Sequence, residues 1–88
     1  MENLKEKIKL VSDLECEIDD IQNKEDFSSW LEHALQIIES IWGKSSTQYI
    51  NAKSIKRYYI LLPLDSFNLK DAINDAIEII EICNEGLL

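Results

Sequence analysis

The sequence predicts an all-α fold: a compact bundle of about four helices, with a short third helix and an extended apolar connector before the last one. Three observations carry this. Apolar residues recur at steps of three and four along most of the chain. Only two Gly and one Pro occur in 88 residues, whereas β domains need turn residues at regular intervals. Asn and Ser residues of helix-start type stand where successive stripes begin. With 45% hydrophobic residues, the 88-residue chain has the material for one domain, residues 1–88, and one modest core.

The first helix is expected from about Asn3 to Gln22. Leu4, Ile8, Val11, Leu14, Ile18 and Ile21 form its single apolar stripe. Asn23 is a good N-cap, and Glu25 and Asp26 suit the positive end of the next helix. That second helix should cover about Lys24 to Trp42. Phe27, Trp30, Leu31, Ala34, Leu35, Ile38, Ile41 and Trp42 give it a wide apolar face, as expected of a central helix. Gly43 then supplies a left-handed stop.

Ser45-Ser46-Thr47-Gln48 has the form of a capping box, with Ser45 accepting from the first turn and Gln48 reaching back. The third helix follows over about Ser46 to Arg57, with Tyr49, Ile50 and Ile55 as inward candidates. Tyr58 to Leu64 has strand-like composition, yet no other segment offers a partner strand, and Pro63 forbids both a central strand and a continuing helix. The stretch is expected as an extended or frayed connector packed on the core. Asn68, three residues before Asp71, starts the last helix, which should run from about Leu69 to Asn84 and stop at Gly86. The expected centre is Trp30, Leu31, Leu35, Ile38, Ile73, Ile77 and Ile80. The first and last helices should lie antiparallel or nearly so around the second, with the tyrosines and Pro63 closing one end.

The formal charge is −8, from 17 acidic and 9 basic residues. That excess argues against general nucleic-acid binding and against adsorption to anionic membranes. The charge is also segregated. Residues 13–26 hold seven acids against Lys24 alone, whereas residues 44–64 hold Lys44, Lys53, Lys56 and Arg57 and no acid. Asp13, Glu17 and Asp20 fall at i, i+4 and i+7, so they line up on one helix face. Such a row is either a solvated outer face or a docking surface for a basic partner. Lys53, Lys56 and Arg57 cluster beside Tyr58 and Tyr59; pairing with the chain's own acids, or with those of a second copy, suits them better than nucleic acid does.

Catalytic patterns are thin. The single His33 sits between Glu32 and Ala34 on the polar side of the second helix. No His follows Arg57 at the spacing of helical ribonucleases, and no Gly-rich phosphate loop occurs. Cys16 and Cys83 are far apart, no C-x-x-C pair exists, and a structural zinc site cannot be assembled from them. No catalytic, metal or cofactor-binding residue is assigned, and no cofactor is expected. The charged N-terminus lacks a signal-peptide core, and Ile60 to Leu64 is too short an apolar run to span a membrane. With two cysteines this suggests a cytoplasmic protein.

Phe27-x-x-Trp30, Ile41-Trp42-Gly43 and Ser45-x-x-Tyr49, with a final Ala/Ile/Leu-rich helix over Asp71 to Ile82, form a recognisable pattern. It resembles a poorly characterised helical domain at the N-terminus of bacterial antiphage-type proteins, ahead of TIR-like or other nucleotide-sensing effectors. The likeness spans roughly residues 4 to 82 and departs at Trp42, where Phe is usual. It implies association or adaptor work and brings no catalytic residues. Two functions follow as expectations. One is an oligomerisation or adaptor module that binds itself or a partner protein, linked to bacterial or phage defence. The other is a small acidic, phage-encoded inhibitor of a basic nucleic-acid-binding enzyme, its carboxylates standing in phosphate positions.

Overall fold

The computed structural model describes residues 4–87. Four α-helices follow one another: α1 (Leu4–Glu17), α2 (Lys24–Trp42), α3 (Thr47–Leu61) and α4 (Leu69–Leu87). Short 3-10 turns over Ile18–Asp20 and Leu64–Ser66 complete the fold, and no strand occurs among the described residues. The fold is therefore all-α. Asn3, the expected first residue of the first helix, lies outside the described residues.

The α1 helix ends earlier than its stripe suggests. Glu17 is its last residue, the backbone tightens over Ile18–Asp20, and Ile21 is extended. Asp19 and Asp20 stand at the negative end of a helix with no basic residue in its last turn, which disfavours further α-helical residues. The turn nonetheless keeps Ile18 and Ile21 buried beside Val11 and Leu14. Leu4 and Ile8, from the same stripe, remain half exposed.

The α2 helix matches its expected span. Asn23 Oδ1 accepts from the Asp26 backbone N–H at 2.8 Å. Gly43 leaves the helix at φ 88°, ψ 168°, a conformation that side-chain-bearing residues rarely adopt. At the next helix the cap is Ser46 rather than Ser45. Its Oγ accepts from Tyr49 N–H at 3.1 Å and donates to Gly43 O at 2.7 Å. The turn after Gly43 uses up Lys44 and Ser45, which moves the helix start one residue on.

The third helix is longer than expected, and this corrects the expected connector. Tyr58, Tyr59, Ile60 and Leu61 continue α3. Pro63 constrains the residue before it, so only Leu62 must leave the helical region, at φ −76° and ψ 127°. Nor is the stretch packed on the core as a whole. Tyr59 is buried, but Tyr58, Ile60, Leu61 and Leu64 are 60–83% exposed. Tyr59 alone of the tyrosines fills the interior, and Pro63 is exposed. Ile50, expected inside, is exposed, while Ala52 supplies the inward contact of that turn.

The α4 helix passes through Gly86 instead of stopping there. A side chain at Gly86 would approach Gln48 Nε2 to 2.4 Å and the Trp42 indole to 3.1 Å, so the glycine lets α4 lie close to the ends of α2 and α3. Within α4, Ala72, Ala76, Ile79, Ile80 and Cys83 face inward. Ile77, expected at the centre, is exposed, and Ile73 is only partly buried. Ala72 and Ala76 let the helix approach its neighbours closely, which centres the buried stripe on them and carries Ile77 outward.

The pairings form a ring: α1 on α2, α2 on α3, α3 on α4, and α4 back on α1, with α2 also touching α4. Lys24 Nζ donates to Leu62 O at 2.8 Å, joining the start of α2 to the end of α3. Gln48 and Trp42 meet Gly86 at the opposite end, so α2, α3 and α4 alternate in direction. Trp30 anchors α1 by donating its indole N–H to Leu14 O at 2.9 Å. Phe27 is fully buried among Trp30, Tyr59 and Phe67, with the Tyr59 ring edge-on at 4.7 Å.

Candidate functional site

The segregated charge becomes two surfaces of opposite sign. The acidic one is a groove of about 340 Å³ where α1 turns into α2, lined by Glu17, Asp20, Ile21, Asp26, Ser29, Trp30 and His33. The 3-10 turn carries Asp20 beside the first turn of α2. Asp26 accepts from Gln22 N–H at 3.1 Å, which fixes its carboxylate at the groove. Glu17 Oε1 lies 2.9 Å from His33 Nδ1. Glu17 ends α1 and Asp20 lies in the 3-10 turn, so the row expected on one helix face is broken; these two share the groove, but Asp13 does not join them. It lies outside the groove and pairs with Lys9 at 3.2 Å. Asp26 and His33 are members that the row at i, i+4, i+7 did not reveal, because they come from the next helix.

The basic surface lies on α3. Lys53 and Arg57 line a groove of about 280 Å³ with Lys44, Tyr49, Ile50 and Ser54. Lys44 is paired with Glu39 at 3.3 Å. Lys53 and Arg57 form no ion pair among the described residues. Lys56 leaves this cluster: its ammonium turns to α2 and pairs with Glu32. That hydrogen bond, with the lysine's charge, holds the Glu32 carboxyl below its usual range. Of the three cations singled out in the sequence, two therefore share a free face and one is spent inside the bundle's own surface.

A third polar feature joins α3 to α4. Tyr59 OH donates to Asp75 Oδ2 at 2.5 Å. Burial first, and the hydrogen bond to a carboxylate second, raise the phenol's pKa well above its ordinary value. No local sequence signal links the two residues, since they sit on different helices. The pair is a lock rather than a reactive dyad, because a phenol held this firmly protonated is a poor base and nucleophile.

The chemistry open to these groups is limited. Burial pushes the Cys83 thiol up to about 11, which keeps it protonated and unreactive at neutral pH. Ser29 lies one helical turn before His33 in the acidic groove, yet no hydrogen bond joins them among the described residues. Both are within a continuous helix whose amides are already bonded along it, so no backbone donors there could hold an oxyanion. Among the described residues no three His, Cys, Asp or Glu side chains are grouped to hold a metal ion. No helix among them is long and apolar enough to cross a membrane.

No family model, no curated protein and no solved structure matches the chain.

Proposed function

We propose that this chain is a non-enzymatic protein–protein interaction module, an oligomerisation or adaptor domain. The supporting observation is the outer side of α3. Ile50, Tyr58, Ile60 and Leu61 are all more than half exposed there, beside the unpaired Lys53 and Arg57. Several large apolar side chains exposed on one helix are more than the scattered single exposures of an ordinary surface. Aromatic and Arg residues are also the side chains that dominate protein interfaces. The resemblance of Phe27-x-x-Trp30 and Ile41-Trp42-Gly43 to a helical domain of antiphage-type proteins points the same way and suggests a role in bacterial or phage defence. Sedimentation velocity over a concentration series tests this, with pull-downs from the native host. A mass that rises with concentration, or a stoichiometric partner lost on Leu61→Lys, is expected. A monomer at every concentration that retains no partner overturns it.

The acidic groove supports a second reading. Glu17, Asp20 and Asp26 converge on one concave surface, as an inhibitor offering carboxylates to a phosphate-binding enzyme would require. This reading expects binding to a basic nucleic-acid-binding protein that weakens with salt and fails in Glu17→Lys/Asp20→Lys. Binding unchanged by that double reversal would rule it out.

A further inference from the structure

We infer that the occupant of the exposed α3 face is a second copy of this chain, held against the outer face of that copy's α4. The inference rests on the interaction-module reading and names its partner. On α3 the exposed residues Ile50, Lys53, Ser54, Arg57 and Leu61 recur at helical spacing, an apolar–cationic stripe without a carboxylate. On α4 the exposed residues Asn74, Ile77, Glu78, Glu81 and Glu85 recur in the same way, an apolar–anionic stripe with Lys70 one turn before it as the one cation on that face. Each stripe spans eleven residue steps, about 16 Å at 1.5 Å per residue, so the two match in length. Lys53, Arg57, Glu78, Glu81 and Glu85 form no ion pair among the described residues; Lys53 acts on Glu32 of its own chain, through its charge and without pairing.

The position of the two helices gives the symmetry. They are neighbours in the bundle, tied by Tyr59 and Asp75. A twofold axis beside that seam sets α3 of each copy on α4 of the other, and both junctions are identical. Each junction covers one apolar end of the α3 stripe with the partner's Ile77 and places Lys53 and Arg57 among the partner's carboxylates. One arrangement therefore covers exposed apolar residues on both helices and neutralises charges of both signs. A cation-rich partner would meet repulsion at Lys53 and Arg57. A generic acidic partner would leave Ile77 exposed.

The test is a charge exchange read by sedimentation velocity. Lys53→Glu/Arg57→Glu places like charges at both junctions, and so does Glu78→Lys/Glu81→Lys. Each double variant alone should dimerise at least about tenfold more weakly than the unmodified chain, since close interfacial charge pairs couple by more than a kilocalorie. Mixed in equal amounts, the two should form a heterodimer, because both junctions again pair opposite charges. All four positions are exposed, so unchanged helical circular dichroism is expected in each variant. An equimolar mixture that stays monomeric overturns the inference, as does an unmodified chain that is monomeric throughout. A dimer indifferent to both reversals overturns the α3–α4 assignment while leaving the interaction-module reading in place.

Discussion

The α2 and α3 helices pack side by side and differ in what they turn inward. The α2 helix buries Phe27, Trp30, Leu31, Ala34, Leu35, Ile37 and Ile38, whereas α3 buries only Ala52 and Tyr59 and turns Ile50, Tyr58, Ile60 and Leu61 toward solvent. The first is a core element. The second packs closely on α2 and α4, tied to them by Tyr59 to Asp75, Lys24 to Leu62 and Lys56 to Glu32 and with Tyr49 and Ile55 partly buried, yet it turns four large apolar side chains outward. In a bundle this small, a helix can be structural or presenting, and its division between buried and exposed apolar residues distinguishes the two roles.

The sharpest way to break the contrast is at Phe27. Phe27→Ala removes a fully buried ring from the aromatic cluster and should cost about 3–5 kcal/mol, a large share of the stability of a domain this size, read as a fall in the urea midpoint. Tyr59→Phe should cost about 1–2 kcal/mol, because Asp75 loses its phenol donor while the ring packing stays.

Alkaline titration probes the same interior. Cys83 and Tyr59 both have their pKa raised in the folded state, which therefore holds their protons more tightly than the unfolded chain does. Their contribution is fully present below the ordinary values. For Cys83 it is lost as pH rises from 9.0 to about 11. Urea midpoints should fall over that window, and less steeply in Cys83→Ala. A thiol reagent at neutral pH should label the exposed Cys16 at once and Cys83 only on unfolding.

The smallest effect belongs to the presenting helix. Leu61→Lys should leave stability within about 0.5 kcal/mol, since the side chain is 83% exposed. The same change should impair association. A destabilisation like that of Phe27→Ala would erase the distinction between the two helices.

These roles were unequally legible. In α2 Asn23 and Gly43 mark both ends, so the span follows directly, and the wide stripe gives most of the core; Ile37, outside the stripe, is also buried, while Ile41 and Trp42 at its end are only partly so. In α4 the sequence offers one broad stripe, Leu69, Ala72, Ile73, Ala76, Ile77, Ile80 and Cys83, and the close approach of neighbouring helices at the two alanines centres the buried face there, drawing in Ile79 and leaving Ile77 outside. The end of α3 was obscured by its β-prone composition and by Pro63, whose veto reaches back only to Leu62. The charge clusters were visible as runs, but their partition was not. Lys56 differs from Lys53 and Arg57 by which neighbour it faces, and Asp26 and His33 join Glu17 through the fold rather than through spacing.

The ring of pairings has a kinetic consequence. Three of its seams join consecutive helices, whereas the α1–α4 seam alone must bring the two ends of the chain together. Loop-closure entropy makes that seam the last to close. Truncations on the buried side of α1, such as Val11→Ala, should leave the refolding rate nearly unchanged and speed unfolding. The bundle would then open first at α1, leaving the α2–α3–α4 hairpins, and with them the presenting surface, as the last part to be lost.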